Sequence, residues 1–212
     1  MELINPEVQE YAEAYSSEAD PLLQKIDAFT AQQNLDYQML SGHLQGKVLE
    51  MISCMLRPKR ILEIGTFTGY SALCLAKGLT DDGQLHTIEG VEKVAVRAQE
   101  FFKQSIYSNK IILHTGNALT IIPTLNEMWD LVFIDAHKPE YIDYFNLIFP
   151  RLRKSGFILA DNIFFHGEAL DEQATGKNAK GIRAFNEFIK QKKDIEKVIL
   201  TIRDGLYLIR KI

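Results

Sequence analysis

Between residues 44 and 161 the chain alternates short apolar runs with amphipathic stretches. The runs Arg60–Ile64, Leu85–Glu89, Ile111–His114, Leu131–Asp135 and Phe157–Asp161 are short and rich in Ile, Leu and Val, as strands buried on both faces are. Helical spacing occupies Leu44–Leu56, Tyr70–Leu79, Lys93–Tyr107, Leu119–Glu127 and Tyr141–Leu152. Such alternation predicts a parallel sheet, built by right-handed crossovers and covered by helices on both faces. The rhythm changes at the end of the chain. After a helix around Ile182–Lys190, VILTIR and LYLIRK flank Asp204-Gly205, a hairpin signal because glycine accepts positive φ in a tight turn. The expected architecture is α/β and Rossmann-like: seven strands, mostly parallel, ending in an antiparallel hairpin.

Residues 1–40 stand apart as N-terminal helices preceding a main domain, 41–212. The second helix is expected to start near Asp20-Pro21, with Pro in the first turn and Leu22, Leu23, Ile26 and Phe29 at helical spacing. That apolar stripe is expected to pack on the main domain or on a partner subunit. The 212 residues, 46% hydrophobic and 25% charged, suit one globular α/β domain. A net charge of −4 gives no global attraction to nucleic acid or anionic membrane. The acidic start lacks a basic segment followed by an apolar run, and no stretch approaches a membrane span, so the expected location is the cytoplasm. Cys54 and Cys74 lie in apolar periodic stretches and are expected to be buried free thiols.

The first chemical signal is ILEIGTFTGYSALCLA, a strand running into Gly65-Thr-Phe-Thr-Gly69 and then a helix. Loops at strand ends bind ligands in doubly wound sheets, and glycines let the backbone turn and a ligand come close. The loop is not G-x-G-x-x-G. Glu63 precedes its first glycine, and Glu89 ends the next strand twenty residues beyond Gly69, where a carboxylate can hold both hydroxyls of a ribose. The combination suits an adenosine ligand without a pyrophosphate. After the third strand, Gly116 and Ala118 are small enough to admit an adenine ring.

Two later strand ends carry a second signal. Asp135 tips the fourth strand, with His137 and Lys138 following, and Asp161-Asn162 tips the fifth. Neighbouring parallel strands bring these tips to one edge. Two carboxylates and an amide oxygen form an all-oxygen half-shell suited to Mg²⁺, Mn²⁺ or Ca²⁺ rather than zinc. Taken singly, each Asp is as well explained by a helix cap or a turn. Beside a divalent cation, Lys138 would be biased toward its neutral amine and a bound phenol toward its anion.

LEIGTFTGYSAL, FIDAHKPEYIDYF and ADNIFFHG together resemble the cation-dependent O-methyltransferases: the plant caffeoyl-coenzyme A type, animal catechol O-methyltransferase and their bacterial relatives. The resemblance runs from about Met39 to the C-terminus and implies the class I methyltransferase fold, with S-adenosyl-L-methionine as methyl donor. It implies metal ligation by Asp135, Asp161 and Asn162, with Lys138 as catalytic base. It implies cofactor contacts from Met39, Ser41, Glu63, Gly65, Thr66, Tyr70 and Ser71, a ribose contact from Glu89, and contacts from Gly116, Ala118, Asp135 and His137. A homodimer is also implied. The chain departs from the family at His137, where many members have Asp, and at Asn117, where Asp is common. Phe164-Phe165 replaces the plant Leu-Trp pair, and His166, the next residue, is expected at a substrate-facing position. The expected reaction is methylation of a catechol-like or caffeoyl-like hydroxyl. The alternative is a hydroxylated wobble uridine in tRNA, with phosphate contacts from Lys177, Lys180 and Arg183. A nicotinamide-dependent oxidoreductase or non-catalytic nucleotide-binding module is disfavoured by the missing G-x-G-x-x-G and by the Asp135, Asp161 and Asn162 set.

Overall fold

The structure is a computed structural model that describes residues 3–32 and 39–212. Residues 33–38, part of the expected N-terminal segment, lie outside the described residues. The elements run α1 (Pro6–Ala14), α2 (Pro21–Gln32), α3 (Gly42–Leu56), β1 (Arg60–Ile64), α4 (Tyr70–Ala76), β2 (Gln84–Glu89), α5 (Glu92–Phe102), β3 (Ile111–Thr115), α6 (Ala118–Ile121), β4 (Trp129–Ile134), α7 (Tyr141–Ile148), β5 (Leu152–Ala160), α8 (Lys177–Gln191), β6 (Ile195–Leu200) and β7 (Leu206–Lys211). Seven strands form one sheet in the order β3-β2-β1-β4-β5-β7-β6, with β7 antiparallel to both neighbours.

Strand pleat sorts the core into two layers. Along β4, Val132 and Ile134 face the α6, α7 and α8 side, packing with Phe145, Ile182, Phe185 and Ile189. Leu131 and Phe133 face the other side, toward Leu23, Leu49, Leu73 and Phe102 on α2 to α5. Successive residues of β4 are therefore buried on opposite faces, which is why the strand reads as a continuous apolar run rather than an alternating one. Each such side chain contributes roughly 1.5–3 kcal/mol through burial.

Asp20 caps α2 as its sequence suggests, accepting from Leu22 N–H and Leu23 N–H at 3.1 and 3.0 Å. Leu23, Ile26 and Thr30 of α2 are buried on the main domain, and the Thr30 hydroxyl lies 3.3 Å from that of Thr68 in the glycine loop. Helix α1 buries no residue.

Several boundaries differ from expectation. Helix α6 stops at Ile121 and continues as one 3-10 turn, because Pro123 removes a backbone donor and crowds the preceding turn. Helix α8 begins at Lys177, five residues earlier than its apolar spacing suggests, since its first turn is largely polar. The hairpin exists, but Asp204-Gly205 is not a two-residue turn. Leu200 pairs with Leu206, leaving Thr201–Gly205 as the loop. Arg203 and Gly205 take positive φ there (49° and 85°), while Asp204 turns inward to hold the segment after β5. Cys74 is buried as expected, but Cys54 lies exposed on the outer face of α3; both are free thiols.

Candidate active site

The parallel ladder delivers the sequence-predicted residues to one edge. Sheet order reverses between β1 and β4, and beyond the carboxyl ends of those strands a crevice opens. Backbone bonds extend the register one residue further: Gly65 N–H to Ile88 O, Asp135 N–H to Ile64 O, and Asp161 N–H to Ile134 O, at 3.0, 2.8 and 2.9 Å. Asp135 and Asp161 therefore stand side by side because Ile134 and Ala160 are register partners. Gly65 is required by this closeness. Its φ is 100°, and a Cβ there would lie 1.9 Å from the carbonyl oxygen of Asp135.

A cavity of about 690 Å³ lies over this edge, within the usual size range for small-molecule sites. Met39, Ser41, Gly65, Thr66, Tyr70, Ser71, Glu89, Gly116, Ala118, Asp135, His137, Lys138 and Asn162 all line it. Glu63 and Asp161 do not; both are fully buried beneath its wall. Glu63 accepts from the Ser71 hydroxyl at 2.6 Å and the Thr87 hydroxyl at 2.5 Å, and Thr87 in turn meets Thr66 at 2.5 Å. Burial pushes the Glu63 carboxyl up to about 8, against the pull of those two hydroxyls and with repulsion from Asp135 and Glu89. Glu89 accepts from the backbone N–H groups of Phe67 (2.8 Å) and Val91 (2.9 Å), tying the end of β2 to the glycine loop. Asn117 accepts from Leu119 N–H and caps α6. His137 is exposed, its Nδ1 3.5 Å from Glu140.

At the centre, the Lys138 Nζ donates to Asp135 Oδ1, Tyr141 Oη and Asn162 Oδ1, each at 2.8 Å. Burial disfavours an ammonium here, but the negative charge of Asp135 and Asp161 outweighs it and raises the Lys138 pKa above its ordinary value. Lys138 is thus held as an ammonium beside Asp135 and Asp161. Asp161 accepts from Gln45 Nε2 at 2.6 Å and from Asn162 N–H at 2.7 Å; burial and the neighbouring Asp135 raise its pKa, against the pull of Lys138. Asp135, Asp161 and Asn162 bring two carboxylates and an amide to this point; among the described residues no group of three or more His, Cys, Asp or Glu side chains could hold a metal.

A second cavity of about 600 Å³ adjoins the first and shares Leu40, Ser41, Asn162, His166 and Arg203 with it. Its remaining wall comes from the N-terminal segment and α1, Asp27 of α2, the start of α3 and the β6–β7 loop, with Gln9, Glu13, His43, Gln45 and Asp204 among the lining residues. Asp204 accepts from His166 N–H at 2.7 Å and fixes the turn after β5, where Asn162, Phe165 and His166 all have φ near 50°. Arg183 of α8 donates to the carbonyls of Glu168, Asp171 and Ala174, so its guanidinium organises the loop before α8.

The pattern of polar residues did not single out Gln45, Tyr141, Asp204 or Arg203. For Gln45 a signal existed: it falls in register with Leu49 and Ile52 on the buried face of α3, where a polar residue is out of place. Asp204 was read only as a turn former.

Comparison with known proteins places this geometry. Residues 13–212 match the family model described as O-methyltransferase. A catechol O-methyltransferase of Niastella koreensis is 35% identical over 160 residues, covering 74% of this chain and 72% of the relative. An O-methyltransferase from Bacillus cereus solved with S-adenosylhomocysteine (SAH) superposes with a TM-score of 0.89 at 28% identity, covering 97% of each chain. TomG from Streptomyces achromogenes, solved with S-adenosylmethionine (SAM), does so with a TM-score of 0.89 at 29% identity, covering 97% of this chain and 96% of that one. Among the described residues no helix is long and apolar enough to cross a membrane. With its seven-stranded sheet, its hairpin and its strand-end cavity, this chain belongs to the O-methyltransferase family and is a SAM-dependent O-methyltransferase.

Proposed function

We propose that the enzyme methylates a hydroxyl of a catechol-like or caffeoyl-like small molecule with the help of a divalent cation, Mg²⁺ by preference over Mn²⁺ or Ca²⁺. The observation that carries this reading is the junction of the two cavities at Ser41 and Asn162, beside Asp135, Lys138 and buried Asp161. The larger cavity would take the methyl donor and the smaller one the acceptor. SAM supplies an activated methyl on a sulfonium, so the chain's work is alignment and control of the acceptor proton.

The donor set fits a hard cation. Asp135 Oδ1 and Asn162 Oδ1 already converge on one positive charge, the Lys138 ammonium, and Asp161 stands next to them in register. Asp135, Asp161 and Asn162 would hold the cation; when bound, it supplies Lewis-acid polarisation of the acceptor oxygen. Lys138 Nζ would then accept the hydroxyl proton, a role that requires the neutral amine and hence a weaker grip from Asp135 and Asn162 than their 2.8 Å contacts with the ammonium provide. Glu89 would hold the ribose. Met39, Ser41, Gly65, Thr66, Tyr70 and Ser71 would line the donor's path, Glu63 would support it through Ser71, and Gly116, Ala118 and His137 would flank the adenine.

The N-terminal helices would form a cover in a homodimer. Support comes from Val8 and Tyr11 on α1 and Tyr15 at its C-cap, 60, 64 and 77% exposed, and from Met51 and Met55 on α3, 55 and 71% exposed. Light scattering on the purified chain reads this directly: a monomer at micromolar concentration refutes it.

The test of function is a methyl-transfer assay with SAM against catechol and, in a parallel arm, bulk tRNA. The expected result is methylation of catechol, lost with chelator and restored by Mg²⁺. Transfer insensitive to both chelator and Asp161→Ala refutes the metal-assisted reading, and transfer to tRNA alone refutes the acceptor.

A further inference from the structure

The buried polar atoms around the second cavity include one that the reading above does not use. Gln45 is 2% exposed on α3, one turn before Leu49, in a position whose helical register calls for an apolar side chain. Its Nε2 donates to Asp161 Oδ2 at 2.6 Å. A carboxylate is an acceptor, so the amide nitrogen faces Asp161 and the carbonyl Oε1 is turned away from it. Oε1 is buried and has no hydrogen-bond partner among the described residues, while Gln45 lines the second cavity. A buried acceptor without a donor costs roughly 1–3 kcal/mol. A Leu or Met at this position would escape that penalty and pack equally well against the apolar face.

Two further details fix the side chain. The next residue is Gly46, against which Tyr70 packs so closely that an added Cβ would come 2.5 Å from its ring. Helix α3 is thereby pressed onto α4, and Gln45 is carried to the end of β5. Asp161 Oδ1 is already occupied by Asn162 N–H, so Gln45 is the group that fixes the carboxylate's other oxygen.

We propose that Gln45 is a positioning residue for Asp161: Nε2 holds the carboxylate's Oδ2, and an amide is kept there although its Oε1 is sealed in without a donor among the described residues. This rests on the metal-assisted reading of Asp161.

The test uses Gln45→Met, similar in length but without N–H or carbonyl, and Gln45→Asn, which keeps the amide one methylene short. Mn²⁺ affinity is measured by electron paramagnetic resonance with SAH present. A carboxylate that loses its outer hydrogen bond binds metal about 10–100-fold more weakly, so the expected result for Gln45→Met is a rise of that size in the Mn²⁺ Kd, while SAH affinity stays as in the parent. Should the Met variant fail to fold, Gln45→Asn is read for the same loss. Unchanged Mn²⁺ affinity overturns the positioning role. If the unsubstituted protein itself binds no Mn²⁺, the metal-assisted reading falls first and takes this inference with it.

Discussion

Replacing Glu63 by Gln should make the ligand-free protein more stable than its parent at neutral and alkaline pH, and the size of the gain is readable from the site. Glu63 is fully buried, and burial lifts its carboxyl from 4.5 in the unfolded reference to about 8 in the folded chain. Between those values the native state keeps a proton that the unfolded chain has released. Stability from this group is therefore fully present below pH 4.5 and is lost as pH rises toward 8, at about 1.4 kcal/mol per pH unit. The substituted amide resembles the protonated acid. It can accept from Ser71 and donate to Thr87, whose hydroxyl then donates to Thr66, so the chain of hydroxyls closes in the opposite sense. Two pH units inside the window correspond to roughly 2–3 kcal/mol, a large share of a domain's net stability. Urea unfolding of both proteins at pH 5.5 and 7.5, without ligand, measures it. The expected outcome is an advantage for Glu63→Gln of about 1.4 kcal/mol at the lower pH that grows by a further roughly 2–3 kcal/mol at the higher. Parallel pH dependences would refute the buried, protonated carboxyl.

Gly65→Ala places a methyl group 1.9 Å from the Asp135 carbonyl at φ 100° and should cost more than about 3 kcal/mol, seen as loss of a cooperative unfolding transition; an unchanged midpoint would contradict the close packing of the β1 and β4 ends. Glu89→Gln should weaken SAH binding by roughly ten- to a hundredfold in calorimetry, the worth of hydrogen bonds to a charged acceptor, with unaltered affinity as the refuting result. Gly181→Ala on α8 brings a Cβ to 2.7 Å from Pro139 Cα and 3.0 Å from Lys138 O, so kcat should drop about tenfold while SAH affinity holds; an undiminished kcat would mean that Lys138 tolerates displacement of its backbone.

The sheet was legible because burial on both faces erases strand alternation and leaves bare runs of Ile, Leu and Val. Five such runs, separated by helical spacing, permit few other folds. Boundaries were less legible where tertiary contacts overrode local pattern. Helix α8 gains its first turn although Lys177, Asn178 and Lys180 show no apolar period, and Asp204-Gly205, a strong hairpin signal by itself, lies at the end of a five-residue loop. There the Asp204 carboxylate and backbone carbonyl are committed to His166 N–H and Phe164 N–H, partners about forty residues away in the chain that no local window contains.

The site divides in the same way. Residues at strand tips were found because topology alone brings Gly65, Glu89, Gly116, Asp135 and Asp161 to one edge, whatever surrounds them. Residues that support those tips from helices were missed, since α3 and α8 reach the edge only through packing that depends on single glycines. Gly46 lets Tyr70 approach α3, and Gly181 lets α8 close on Lys138 and Pro139. The two helices thus act on opposite sides of one charge cluster. From one side Gln45 restrains Asp161; from the other, α8 presses on the segment that carries Lys138. Because both supports act through backbone approach rather than charge, conservative changes at Gly46 or Gly181 should disturb the site more than exposed charge changes on the same helices, such as Lys47→Ala or Lys180→Ala. A comparison of Mn²⁺ affinity across those four variants tests this ordering, and a larger loss from either lysine would reverse it.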